Sequence, residues 1–390
     1  MSETASVVIV GGGVMGASTA FHLAERGCRD VTLLERQGVA SGPTGHSSAL
    51  LRQHYSIEIY ARLAYESLQF YHAFRERVGG DCGLIRCGLA VAIGPDDLEP
   101  ARETVRMQQA IGIQTEFVPL ETLRDLFGEI RTDDLAAGVF EAMSGYAEPV
   151  TTTMSFVRRA RELGVRVLED RPALEILVAG GRVTGVRTPA GILHTDTVVL
   201  AAGPWTLDLV RPLELDFPLR ASRQQVVLFG RPEPRRPQPV LVDMVQACYF
   251  RPEVDHQVFV GVRNPAGVVA DADPDRYDPR VNGDAVERAA ILATHRFPHM
   301  ERAEWRGGYA AIYDLTPDLH FVIDRPRTVE GLLLATGFSG HGFKHAPMIG
   351  RLLAEWVLDG QPKSADLTPF SLDRFRTGTV LRGRYARWPY

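Results

Sequence analysis

A chain of 390 residues, 45% hydrophobic and 23% charged, is long enough for two folded units and ordinary in composition for a globular protein. Its net charge of −5, with no basic stripe, leaves no electrostatic footprint for a nucleic-acid partner. Four scattered cysteines (Cys28, Cys82, Cys87, Cys248) form neither a disulfide framework nor a metal set, and no run of about 18 apolar residues exists to span a membrane, so a cytoplasmic setting is expected.

In chain order, the first 35 residues predict a strand–helix–strand unit. Ser6–Val10 is a short β-branched apolar run of the kind a buried parallel strand requires. Gly11-Gly-Gly-Val-Met-Gly16 follows, and Ala17, Ala20, Phe21 and Ala24 then recur at helical spacing up to Gly27, a natural C-terminal cap. Val31–Glu35 predicts a second strand with an acid at its carboxyl end. This apolar start lacks the basic flank of a secretory leader, and four glycines break it. Further on, Tyr60–Val78 reads as an amphipathic helical stretch, Cys87–Ile93 as a strand, and Leu98–Ile111 as a helix. Phe156–Leu163 reads as another helix, followed by a strand at Val165–Leu168. Val183–Arg187 and Gly191–His194 predict a small meander leading into the strand Thr197–Gly203. Short spaced strands at Arg223–Phe229, Ala247–Arg251 and Gln257–Val262 predict an antiparallel sheet, with Arg231–Pro239 a loop. Leu332–Gly337 is a last apolar strand, and Ala346–Leu358 a closing helix.

Gly11, Gly13 and Gly16 form G-x-G-x-x-G between a strand and a helix. The first glycine permits a tight turn, the second lets backbone approach a pyrophosphate, and the third lets helix and strand pack closely. The helix N-terminus adds N–H donors and a positive field. Glu35, 24 residues after Gly11, ends the second strand where a ribose would present its hydroxyls. Together these predict an adenine-dinucleotide site; a glycine-rich turn without a ligand is the plainer alternative. A second glycine-rich turn, Phe338-Ser-Gly-His-Gly-Phe-Lys344, follows a strand more than 300 residues later. That separation favours FAD over NAD, because an elongated flavin dinucleotide must be clasped far from its adenine. The expected fold is α/β (α+β), with a Rossmann-like FAD-binding domain interleaved with an antiparallel-sheet substrate domain. The FAD-binding parts are 1–84, 151–215 and 325–365, the substrate parts 85–150 and 216–324, and 366–390 is a C-terminal tail.

At three segments the sequence resembles the D-amino-acid oxidase superfamily of FAD enzymes, nearest its sarcosine oxidase and dimethylglycine dehydrogenase branch, over nearly the whole chain. The segments are the fingerprint through Glu35-Arg36, then Gly42-Pro-Thr-Gly-His-Ser-Ser-Ala-Leu-Leu-Arg52, and Tyr313–Asp318 with Gly337–Lys344. The resemblance implies cofactor contacts from Gly11, Gly13, Val14, Met15, Gly16, Glu35, Arg36, Thr44, Gly45, His46 and Ser47. From the later segments it implies Ala202, Gly203, Trp205, Gly340, His341, Gly342, Phe343 and Lys344.

The same resemblance implies that Arg52 pairs with a substrate carboxylate, that Lys344 is its second cationic partner, and that Tyr249 and Tyr313 line the substrate pocket. A guanidinium and an ammonium suit an anionic substrate in a dry pocket, and Lys344 and Lys363 are the only lysines in the chain. A surface arginine and ordinary core packing are the alternatives for Arg52 and Tyr249. In the dehydrogenase branch a histidine at the place of His46 carries the flavin covalently, whereas sarcosine oxidase uses a cysteine where Ala311 stands here. His46 is then either the covalent ligand or a non-covalent neighbour of the flavin. The position of the lysine that promotes oxygen reaction in sarcosine oxidases falls here near Phe259, which weakens an oxidase reading without abolishing it, because Arg263 lies close by. The implied activity is oxidation of the C–N bond of an amino acid or N-methyl/secondary amino acid, with a hydride passing to the flavin and the imine then hydrolysed. The alternative is the flavin-bearing subunit of a hetero-oligomeric amine dehydrogenase. No metal, nucleic acid or membrane partner is expected, and alone the chain would be a monomer or homo-oligomer.

Overall fold

A computed structural model of the chain describes residues 3–232, 237–262 and 271–385. Two sheets carry the fold. The first has six strands, in sheet order Val322–Asp324, Leu332–Thr336, Val198–Leu200, Val7–Val10, Val31–Leu34 and Arg166–Leu168. All its pairings are parallel except the edge pair of 322–324 with 332–336. Every residue of the strands at 7–10, 31–34, 198–200 and 332–336 is buried, as parallel strands covered on both faces must be.

The two-residue period decides what each face meets. Val7 and Ile9 join the core formed with the helices Val14–Glu25, Pro149–Glu162 and Ala346–Asp359. Val8 and Val10 point the other way, into a core shared with the small sheet Glu3–Thr4, Gly191–His194, Arg182–Thr188 and Glu175–Ala179. The predicted meander is the middle of that small sheet. The helix expected from Phe156 begins earlier, at Pro149, because Glu148 caps it: its side chain accepts from Thr151 N–H at 2.6 Å, and proline suits the first helical position.

The second sheet has eight strands, in order Glu304–Leu315, Arg220–Gly230, Gln257–Val262, Cys248–Pro252, Val240–Asp243, Leu89–Ile93, Ala137–Glu141 and Glu116–Val118. It is antiparallel, as expected, except where 240–243 runs parallel to 89–93. Those two strands come from chain segments separated by a passage through the first sheet, so no hairpin dictates their relative direction. Helices Leu120–Phe127 and Gly283–Arg296 close the far face. Arg296, wholly buried at the end of the second helix, is held by Asp243 and Asp134 at 2.7 Å each.

Past the closing helix the tail lies on the fold: the Phe370 ring sits 4.4 Å from Phe321, and Arg374 pairs with Asp318 at 2.8 Å. Residues 386–390, part of the predicted loop at 231–239, and Arg263 fall outside the described residues. Among the described residues no helix is long and apolar enough to cross a membrane. What positions the site is the end of the first sheet where the turns at Gly11, Glu35, Ala202–Gly203 and Gly337–Gly342 all leave the carboxyl ends of neighbouring strands.

Candidate functional site

A cleft of about 550 Å³ opens at that end of the sheet, within the roughly 300–1,000 Å³ usual for cofactor and ligand sites. Gly11 has φ 111°, and a Cβ there would lie 2.3 Å from the Ala201 carbonyl oxygen, so a side chain would drive two strand ends apart. The helix Val14–Glu25 starts from Gly13 without a side-chain cap, and Gly13, Val14 and Met15 line the cleft with its N-terminus. Val14 N–H donates to Thr44 Oγ1 at 3.1 Å, which brings the second predicted segment against the first. Glu35 accepts from Gly12 N–H at 2.7 Å and Gln37 N–H at 2.8 Å, so its orientation is set while each oxygen keeps a lone pair. The Arg36 guanidinium stacks 4.7 Å over the Trp205 ring, and Asp275 Oδ1 accepts from both, at 2.8 and 3.0 Å.

From this end the cleft runs past Thr44 and Ser47 to Ala202, Gly203, Tyr313, Asp314, Phe338, Gly340, Gly342 and Phe343. The Tyr313 ring presses on Gly340, where φ is 80° and a Cβ would fall 2.1 Å from the ring. Asp314 is buried and accepts from Gly337 N–H at 2.7 Å and the Thr336 hydroxyl at 3.3 Å; burial pushes its carboxyl up to about 6. A cradle of N–H groups, a fixed carboxylate suited to ribose hydroxyls, and an elongated cleft ending among aromatics and glycine turns fit FAD along its length.

Beside the aromatic end lies a basic cluster. Arg52 follows the two-residue strand Leu50–Leu51, half-buried rather than on a surface helix; its guanidinium stacks 4.1 Å over Tyr55, and Nη1 donates to the His54 carbonyl. Lys344 is buried in the helical turn Phe343–His345, with Nζ 3.5 Å from the His341 carbonyl oxygen. Burial first, and the Arg52 charge second, push its ammonium well below the ordinary lysine value. Among the described residues no carboxylate pairs with Lys344. The same two causes bring His54 down to about 3. Glu141, whose carboxyl burial pushes up, accepts from Gln53 N–H at 2.9 Å and Ser144 Oγ at 2.6 Å.

An aromatic wall stands on the second sheet. Tyr249 pairs its hydroxyl with Ser48 Oγ, its ring fills the space over Gly261, and burial pushes its phenol up. Tyr309 lies between His46 (ring centroids 5.9 Å apart) and Phe259 (6.0 Å). Arg251 donates to the Ser48 carbonyl at 2.8 Å, pairs with Glu253, and stacks over Tyr146 at 4.5 Å and Phe259 at 4.7 Å.

Residues 6–356 match a family model described as DAO, FAD dependent oxidoreductase. The chain belongs to the FAD dependent oxidoreductase (DAO) family. FAD is accordingly its cofactor. It is 30% identical over 379 residues to 4-methylaminobutanoate oxidase (formaldehyde-forming) of Paenarthrobacter nicotinovorans, covering 94% of this chain but only 45% of that protein, so the chain spans about half the length of that relative. It is 25% identical to sarcosine oxidase subunit beta of Arthrobacter sp over 96% of this chain and 92% of that one. In fold it is similar to L-proline dehydrogenase from P. horikoshii, with a TM-score of 0.89, 23% identity, and coverage of 97% of this chain and all (100%) of that one.

Most of the predicted cofactor residues of this DAO chain line the cleft: Gly11, Gly13, Val14, Met15, Glu35, Arg36, Thr44, Ser47, Ala202, Gly203, Trp205, Gly340, Gly342 and Phe343. Gly16 and Gly45 serve packing instead of facing it, since a Cβ would lie 2.0 Å from the Gly11 oxygen and 2.4 Å from the Ala40 oxygen. His341 sits behind the turn and donates Nε2–H to the Leu319 carbonyl at 3.0 Å. His46 is half-buried beside the cleft, its Nδ1 3.3 Å from the Gly42 carbonyl oxygen. Tyr313 lines the cleft, whereas Arg52, Lys344 and Tyr249 surround it from outside that lining. Asp314, Asp275, Ser48, Arg251 and Tyr309 were not singled out in the sequence; Asp314 and Ser48 stood inside matched blocks, next to Tyr313 and Ser47.

Proposed function

We propose that this chain oxidises the C–N bond of an amino acid or an N-methyl/secondary amino acid. One observation carries the reading: Arg52 and Lys344 are brought near each other in a buried place where no carboxylate among the described residues pairs with the lysine. A buried lysine without a carboxylate is unfavourable until an anion arrives, and a substrate carboxylate would restore its proton while reaching the guanidinium beside it. The names of the relatives, an oxidase of 4-methylaminobutanoate and a sarcosine oxidase subunit, support an N-methyl amino acid.

FAD, when bound, supplies the hydride acceptor. The chain's groups bind, orient and dry the site. Arg52 and Lys344 hold the carboxylate; their positive field disfavours a substrate ammonium and favours the free amine, whose lone pair drives loss of hydride from the adjacent carbon. Tyr249, Tyr309 and Tyr313 shape an apolar slot that keeps water off this carbon until the iminium has formed. Water then adds, giving a carbonyl and a smaller amine. His46 Nδ1 donates to a carbonyl, which can only accept, so Nε2 presents the lone pair a covalent flavin bond requires; we infer that bond.

The test is anaerobic mixing of the holoenzyme with sarcosine, 4-methylaminobutanoate, proline and glycine. Bleaching of the flavin by at least one, and none by the matching amine without a carboxylate, is expected; an unbleached flavin with all four overturns the reading. A second reading, the flavin-bearing subunit of a hetero-oligomer, is favoured by the two-way coverage with sarcosine oxidase subunit beta. Turnover with a dye by the isolated chain, at the rate reached in its native complex, argues against it.

A further inference from the structure

We propose that Tyr385 is a positioning residue for Arg52: acting through His54, it sets the affinity of the site for a substrate carboxylate. This rests on the reading of Arg52 as the carboxylate partner. Residues 52–56 form an irregular link between the strand Leu50–Leu51 and the helix Glu58–His72, so no regular ladder fixes their shape. Side chains from elsewhere fix it. Glu141 accepts from Gln53 N–H at 2.9 Å, and Gln108 Nε2 donates to the Gln53 carbonyl at 2.9 Å and the Tyr55 carbonyl at 3.3 Å. These hold backbone only.

Besides Gln108, the His54 side chain is met by a residue from the far end of the chain. The Tyr385 hydroxyl lies 2.5 Å from His54 Nε2 across 331 positions of sequence, with ring centroids 5.7 Å apart. Its neighbour Arg384 donates its backbone N–H to Ser56 Oγ at 2.9 Å and pairs with Glu103 at 2.6 Å, so two successive residues grip the link at both sides. Tyr385 and His54 are 5% and 3% exposed, and neither lines the cofactor cleft. Their bond nonetheless touches the machinery at one remove, because the His54 carbonyl takes the Arg52 Nη1–H and the Tyr55 ring underlies its guanidinium.

An arginine side chain has many rotamers, and its usefulness to a carboxylate depends on presenting its fork in one of them. Anchoring His54 fixes the carbonyl that holds the fork. When that anchor is removed the guanidinium samples other orientations, and the deficit falls on carboxylate binding rather than on the chemical step.

The test uses the full-length holoenzyme with Tyr385→Phe, which keeps the ring and removes only the hydroxyl. Acetate is the carboxylate probe, read by perturbation of the flavin absorbance, and the FAD content of the purified protein reports the integrity of the cofactor site. The acetate Kd is expected to rise about 3- to 10-fold, the effect of one lost hydrogen bond. The limiting rate of flavin reduction by the best amino acid, and the FAD content, stay as in the wild type. Loss in all three together indicates a structural role and overturns the proposal. His54→Gln breaks the same bond from the other side, and the double variant is expected to bind acetate no worse than the weaker single one; additive losses overturn the coupling. Arg52→Ala separates the two layers of the argument. If it binds acetate like the wild type, the carboxylate reading of Arg52 fails; if it binds weakly while Tyr385→Phe is unchanged, only the positioning role fails.

Discussion

Replacing Asp314 by Asn changes how the stability of the whole molecule responds to pH. The carboxyl is 7% exposed, and burial lifts it from 3.8 to about 6 in the folded chain. Between pH 4 and 6 the folded state therefore holds a proton that the unfolded state has released, and stability falls as pH rises through that window. A change from 3.8 to about 6, at roughly 1.4 kcal/mol per pH unit, sets the loss at no more than ~3 kcal/mol at neutral pH. Asparagine avoids it: its side-chain oxygen, placed where Oδ2 stands, still accepts from Gly337 N–H and the Thr336 hydroxyl, and it carries no charge to desolvate. With about 2.1 cal/mol/K of unfolding entropy per residue over 390 residues, ~3 kcal/mol corresponds to a rise of about 4 °C in Tm. Scanning calorimetry of the two holoenzymes from pH 4 to 8 should give a difference near zero at pH 4 that grows to a plateau above pH 6.5. A difference independent of pH, or a variant less stable at pH 7.5 than at pH 4 relative to the wild type, refutes the reasoning.

Because Lys344 is held well below its ordinary value, binding a carboxylate brings it a proton, and acetate affinity falls as pH rises past that lowered value. Calorimetry in buffers of different ionisation heat should register proton uptake by the wild type and none by Lys344→Met, whose affinity is lower by about 10-fold or more. Acid precipitation of the holoenzyme is expected to leave the yellow colour in the pellet, and His46→Ala to release it to the supernatant; a colourless wild-type pellet rules out the covalent bond. Phe259 stands with an arginine already neutralised by Glu253, so stopped-flow reoxidation of the reduced protein should be slower with air than with a quinone, and the reverse order overturns that expectation.

How much of this was legible in the sequence depends on whether a signal is local. The Gly11–Gly16 turn, the acid at Glu35 and the helix Leu98–Ile111 could be read because their causes lie within a few residues, and the helix has the bounds expected. The strand Glu304–Leu315 could not. Its charged start and the pair Gly307-Gly308, at φ 127° and 145°, suit a turn by composition, and it is the antiparallel pairing with 220–230 that makes it a strand. Helix Gly283–Arg296 did leave a signal, Asn282 as its cap with Ala285 N–H at 2.9 Å, followed by an alanine-rich run. In the site, Arg52 and Lys344 were found through matched blocks. Ser48, Tyr309, Arg251 and Tyr385 act through partners 200 or more positions away, or through register within a sheet, and spacing carries no trace of either.

The six-stranded sheet has a consequence for the newborn chain. Its central strand at 7–10 lies between 31–34 and 198–200, and the strand beyond 198–200, at 332–336, is the last of the six to be made. At roughly 5–20 residues per second of synthesis, the first strand waits on the order of 15 to 65 s for the last to emerge. During that interval one strand edge and a bare glycine turn stand open, with no aromatic end to clasp a flavin. The clasp around a flavin can therefore close only once the strand 332–336 has been made, and until then the unpaired edge of 198–200 is the one left open.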